Sequence, residues 1–195
     1  CWGGSMAISR KIFETLKIRE KWRGTLSDDF VVTRIMHEAD LPIVHVPQCL
    51  TVSIENCTFR ELLEFTTRQM KITRVYSTKL WVLSFIGSGL FCVVMSASFL
   101  LLIFGVTFWV PLAAIGLVSI FSIGKSSLRL TAVKFVLKDY EQQLKRQVWT
   151  QNTLWIFSPV LFFYNCICAL FSRKIIWRGI KYELESASKT KVLKL

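Results

Sequence analysis

Between Lys79 and Lys125 the chain carries no charged residue and no histidine over 45 consecutive positions, and Val148 to Ser172 repeats this over 25 more. A bilayer hydrocarbon core about 30 Å thick is crossed by roughly 20 apolar helical residues. The first run therefore holds two spans and the second holds one. Buried helical hairpins of soluble proteins rarely run this long without a charge. The pattern predicts an integral membrane protein with a two-span hairpin over residues 80–124, its turn near Gly105 to Pro111, and a third membrane segment over 148–172. In that third run Pro159 sits near the middle, with Asn152 and Asn165 to either side. A proline frees a backbone carbonyl that must be satisfied nearby, so the segment either crosses once or bends at Pro159 and returns.

The flanks of the apolar runs have a helical period. In residues 58–79, Leu62, Phe65, Met70, Ile72 and Tyr76 lie among Arg60, Arg68, Lys71, Arg74 and Lys79, which predicts a helix at the membrane surface. Residues 125–147 repeat the design, with Leu128, Ala132, Phe135, Val136, Tyr140 and Leu144 as the apolar stripe of a basic amphipathic helix. Residues 1–57 are mixed. Ser9 to Leu16 predicts a short helix, and Ser27 is a natural N-cap for another with Val31, Val32, Ile35, Met36 and Ala39 on its apolar face. Leu41-Pro42 ends that helix, and "IVHVP" and "CLTVSI" read as two strands. The expectation is α/β in character, yet 57 residues are too few for an independent α/β core. The remaining residues, 173–195, form a basic tail.

The formal net charge of +12 takes its meaning from these positions. Arg68, Lys71, Arg74 and Lys79 precede the hairpin, and Lys125 and Arg129 follow it. Lys and Arg in such places stay on the cytoplasmic side and meet anionic headgroups, so the first 79 residues are expected in the cytosol. The charge is not a nucleic-acid stripe. The third segment is basic on both sides, at Lys145 and Arg146 and at Arg173, Lys174 and Arg178, so charge does not orient it. The six cysteines show neither zinc spacing nor a secreted disulfide framework. The chain begins "CWGGSMAI" rather than at a Met and shows no signal peptide, which reads as the latter part of a longer protein.

Candidate chemistry is sparse. "SDDF" puts Asp28 and Asp29 at a helix start, where the macrodipole favours acids and most such pairs are caps. No nucleophile triad, metal-ligand cluster, Walker loop or GxGxxG accompanies them, and His37 and His45 read as structural. The order of features says more. "GGSMAI" precedes "SDDF" by about twenty residues; then come a strand-rich piece ending in "HVPQ", a helix with "RQMKITRVY", the spans, and "WRGIKYEL" near the end. This order resembles inverting GT-A membrane glycosyltransferases of the family 2/21 type, and specifically the C-terminal half of ceramide glucosyltransferases. Cellulose and hyaluronan synthases are more distantly similar. "WRGIKYEL" resembles the W-x-x-G-x-x-Y-x-L ending of the ceramide enzymes.

The resemblance implies roles. Gly3, Gly4 and Ser5 match a small-residue loop at the donor and acceptor site. Asp28 and Asp29 match a carboxylate pair whose final Asp is the catalytic base, which assigns Asp29 that role and leaves Asp28 to support it. The Q/R-x-x-R-W motif is degraded: Lys71 to Val75 keeps Arg74, with Lys71 in the Gln/Arg position and Val75 in the Trp position. Arg74 is the cation expected toward the diphosphate. Trp177 and Tyr182 are expected at the lipid acceptor. The implied fold is the C-terminal part of a GT-A domain, followed by interfacial helices and about three spans.

The implied activity moves a hexose, glucose by resemblance, from a UDP-sugar to a lipid hydroxyl such as ceramide, at the cytosolic face. The nucleotide pocket and the D-x-D carboxylates that hold Mg or Mn belong to an N-terminal half not seen here. The chain alone is therefore expected to bind no metal and to be inactive until that half is supplied. A polysaccharide synthase, and a non-enzymatic anchor or subunit that binds anionic lipid, are the competing readings.

Overall fold

The computed structural model describes residues 1, 4–52 and 56–193, and within them the chain is mostly helical with one small sheet. Its contacts divide it into two compact units, Cys1–Val82 with Asn165–Leu195, and Leu83–Tyr164.

In the first unit, α1 (Arg10–Thr15) starts at Ser9, whose side chain accepts the Ile12 N–H, and a four-residue turn α2 (Ile18–Lys21) follows. Helix α3 (Asp28–Glu38) buries Val31, Val32, Ile35 and Met36, the stripe expected from the sequence, against Ile18 with Phe13, Leu16 and Trp22 around them. It ends as a Schellman turn: Asp40 takes a left-handed φ of 52°, and the Leu41 N–H reaches Met36 O at 2.9 Å. Leu41 then packs on the same core, so the Leu41-Pro42 stop is a stop with a hydrophobic clasp.

Helix α4 (Phe59–Tyr76) carries a capping box, with Glu61 reaching back to the Thr58 N–H at 2.8 Å. That hydrogen bond, added to one from the Thr58 hydroxyl, holds the Glu61 carboxyl below its ordinary range.

The expected strands are not where the sequence put them. Residues 43–46 are exposed, without regular structure and unpaired with any strand among the described residues, and Pro47–Cys49 is a turn of 3-10 helix. Ser53 and Ile54, the end of "CLTVSI", lie outside the described residues. β-Propensity here meets no neighbouring edge, and a strand without a partner has nothing to hold it.

The sheet lies instead in the tail: β1 (Lys174–Trp177), β2 (Ile180–Ser186) and β3 (Lys189–Leu193), antiparallel in that order. Arg178 and Gly179 make the β1–β2 turn with φ of 50° and 78°, the double left-handed pattern of a type I′ hairpin. Gly179 is thus a turn residue. Ile175 and Leu184 are buried against Ile72 of α4, with Val75, Tyr76, Tyr182, Leu26 and Phe30 around them.

The membrane-length helices begin with α5 (Thr78–Ile103), which ends with Gly105 at φ 64° and the Val106 N–H on Leu101 O. Only a residue comfortable in the left-handed region closes such a turn without strain. Helix α6 (Trp109–Val136) takes Pro111 into its first turn and runs unbroken through Lys125. The amphipathic stretch expected from Lys125 onward therefore starts as a continuation of the span, and at 1.5 Å per residue the helix outruns a hydrocarbon core of about 30 Å. A separate helix, α7 (Glu141–Thr153), carries the rest. After it the chain turns through Leu154–Ile156 into α8 (Phe157–Phe171). The irregularity falls three residues before Pro159, which sits in the first turn of α8, where its missing N–H costs nothing. By length and composition, Thr78–Ile103, Trp109–Val136 and Lys138–Phe171 are three segments able to cross a membrane.

Candidate active site

The loop in front of the carboxylates, residues 22–27, is gripped from several directions. Trp22 turns its indole N–H onto Asp28 O at 3.3 Å. The Tyr76 hydroxyl, at the last residue of α4, accepts the N–H groups of Leu26 at 2.7 Å and Ser27 at 3.3 Å. From the tail, the Thr190 N–H donates to Gly24 O at 2.7 Å. The Tyr76 ring also stacks on Phe30 with centroids 5.9 Å apart. A helix end, a sheet edge and an indole thus fix one short loop, and the ties from Tyr76 and Thr190 run between residues far apart in sequence.

What the loop delivers is an asymmetric pair. Asp28 is exposed, while Asp29 is half-buried. Asp29 Oδ1 accepts the Phe30 N–H at 2.8 Å and a short hydrogen bond from the Ser27 hydroxyl. The expected cap is therefore reversed. Ser27 stands at the N-cap position but makes no side-chain cap bond; it donates to the acid, and Asp29 takes the helix-start amide. A carboxylate held by one oxygen keeps the lone pairs of the other for a proton, the geometry a general base requires. Among the described residues no hydrogen bond to Oδ2 is present.

The two cations of the degraded motif sit on α4. Lys71 Nζ donates to Lys174 O at 2.9 Å, at the start of β1. Burial pulls its ammonium below the ordinary lysine range, with the Cys168 sulfur acting in the opposite direction. Arg74 turns Nη1 onto the carbonyls of Ala169 and Leu170, the latter at 2.7 Å, so it neutralises the negative end of α8. Its guanidinium lies 5.3 Å from the Trp81 ring centroid. The motif's Trp position is Val75, yet an indole seven residues beyond Arg74 covers the cation. Arg74, Arg173, Lys174 and Glu183 line an open cleft of about 430 Å³.

The other expected site residues are scattered. Gly3 lies outside the described residues, and Gly4 and Ser5 are exposed ahead of α1. Tyr182 packs into the cluster around Ile72, whereas Trp177 is exposed with Arg178 5.7 Å over its ring. The tail spacing is also one residue shorter between Trp177 and Gly179 than the ending it resembles. The sequence marks Tyr76 only as part of an apolar stripe and gives Trp81 and Gly24 no role at the site. None carries a local signal of such a role, because each acts by meeting a partner brought up by the fold.

No three His, Cys, Asp or Glu residues among those described stand together as ligands, and the chain contains no D-x-D. Among the described residues no side-chain cluster offers the ligand set of a divalent ion.

Comparison with known proteins adds one match. The sequence model of the family described as Glycosyl transferase family 21 matches residues 1–190. No curated protein and no solved structure matches the chain.

Proposed function

Because the chain belongs to glycosyl transferase family 21, we propose that it forms the acceptor side of a membrane-bound inverting hexosyltransferase. The donor is a UDP-sugar, with glucose as the hexose, and the acceptor is the hydroxyl of a membrane lipid such as ceramide. The observation that carries this reading is the family match over nearly the whole chain, joined to three membrane-length segments. A lipid acceptor suits a chain of this kind because it diffuses within the bilayer to a site at the surface. The basic residues flanking α5 and α6 support a cytosolic side for that surface.

In this mechanism Asp29 takes the proton of the lipid hydroxyl as its oxygen attacks the anomeric carbon, on the sugar face opposite the departing UDP. Ser27 and the Phe30 amide hold one carboxylate oxygen and leave the other for that proton. Asp28, exposed, supports the helix start. Arg74 keeps its donors for the diphosphate only in part, since α8 carbonyls occupy Nη1.

The test is Asp29→Asn in the full-length enzyme. Asparagine keeps an oxygen to accept from Ser27 and Phe30, so the helix start survives while the base is lost. Transfer should fall at least about 100-fold with donor affinity little changed, and Asp28→Asn should cost less. Transfer within a few-fold of wild type for Asp29→Asn would remove Asp29 from the role.

A further inference from the structure

The tail sheet is amphipathic, and its apolar face is only half covered. Cross-strand partners share a face, so the pairs Ile175 with Tyr182, Trp177 with Ile180, and Tyr182 with Val192 set one apolar side, to which Leu184 belongs. The opposite side carries Lys174, Lys181, Glu183 and Lys191, with Ile176, 65% exposed, and Leu193 as its apolar members. At one end of the apolar face Ile175 is 4% and Leu184 0% exposed, covered by Ile72 of α4. Toward the hairpin tip the cover stops: Trp177 is 42%, Ile180 44% and Val192 61% exposed.

We propose that this uncovered end, with Trp177, Ile180 and Val192, seats in the headgroup region of an anionic bilayer as a hairpin anchor. Three observations select a lipid surface as the occupant. First, β1 begins three residues after Phe171, the end of the third membrane-length segment. Even fully extended, the chain from there to Trp177 spans at most about 20 Å, so the tip never leaves the neighbourhood of the bilayer. Second, residues 173–193 hold six basic side chains against Glu183 and Glu185, the charge that anionic headgroups attract. Third, the residue at the tip is an indole flanked by arginine, an amphipathic pair suited to the interface. The inference does not depend on Asp29 or on any transfer reaction, and its test reads no activity.

The full-length protein, reconstituted in phosphatidylcholine vesicles with and without phosphatidylserine, carries a polarity-sensitive dansyl amino acid introduced by suppression at position 180. A second preparation carries it at 192, and a third at 191 on the charged side. Lipids with a nitroxide near the headgroup should quench the dye at 180 and 192 at least about twofold more than at 191. Phosphatidylserine should increase that quenching, and replacing Lys174, Lys181 and Lys191 by Gln should remove the increase. Equal quenching at 180, 192 and 191 would overturn the proposal. So would a dye at 180 and 192 that is blue-shifted but unquenched, because protein rather than lipid would then cover the face.

Discussion

The core around α3 and the tail sheet and the unit Leu83–Tyr164 bury different sets of side chains. In the unit formed by Cys1–Val82 and Asn165–Leu195, the positions at 0 to 2% exposure are the branched aliphatics Ile18, Val31, Val32, Ile35 and Leu184 around α3 and the tail sheet, and Asn165, Cys166 and Ala169 on α8. In Leu83–Tyr164 the buried positions are Ser88, Met95, Ser98, Pro111, Ser126 and Leu130, while Ile86, Leu90, Val93, Ile120 and Phe121 face outward at 59 to 70%. The core around α3 and the tail sheet is sorted by water, which drives apolar area inward. The second is sorted for a solvent as apolar as leucine, where no such drive separates helices and small residues let backbones approach. One chain thus obeys two rules, and the same substitution should have different effects in the two places.

The comparison breaks first at Leu184. It is fully buried against Ile72 and Ile175, so Leu184→Ala removes aliphatic contacts from a core that water enforces. The expected cost is about 2–5 kcal/mol, the range for such truncations. Hydrogen exchange on the reconstituted protein should show lost protection in α3, α4 and the sheet, with amides of Leu83–Tyr164 unchanged. Protection lost only in the sheet would mean that the tail is an appendage and not part of the core that holds the carboxylate loop.

How far this was legible in the sequence follows the same division. Where one helix presents one stripe, the sequence sufficed: Val31, Val32, Ile35 and Met36 are buried as their spacing predicts. The uncharged runs likewise announced helices of membrane length. Strands were misplaced because β-propensity is a preference for a partner, and "IVHVP" meets none among the described residues. The tail has the plainer signal, "IKYELE" alternating at period two beside an Arg-Gly turn, which the likeness to a family ending obscures. The state of Asp29 was not legible at all. Nothing local says that Ser27 donates to the acid, or that Tyr76, 49 residues on, closes the loop.

A smaller effect, local to the candidate site, is expected at Tyr76. Tyr76→Phe keeps the ring on Phe30 and removes the acceptor for the Leu26 and Ser27 amides. Leaving such groups without a partner in a half-buried place costs about 1–3 kcal/mol. Exchange should quicken at residues 22–30 while the α3 core stays protected. Unchanged exchange there would show that the loop is held by Trp22 and Thr190 without α4, and the link between α4 and the carboxylates would lose its physical basis.

The smallest effect belongs to Ser126, and it probes the second rule directly. Serines in membrane-length helices commonly bond back to a carbonyl four residues earlier, as Ser119 does to Ile115 O at 2.7 Å and Ser88 to Ser84 O at 2.5 Å. The Ser126 hydroxyl is buried yet has no partner among the described residues. If its use is smallness rather than polarity, Ser126→Ala removes an unsatisfied group and keeps the close approach. Its unfolding free energy in detergent should then stay within about 0.5 kcal/mol of wild type, or rise. Ser126→Leu should lower it, because the added volume must push a neighbouring helix away. A clear loss of stability in Ser126→Ala would assign the hydroxyl a partner, and the position would then be read as a polar contact instead of a small-residue packing site.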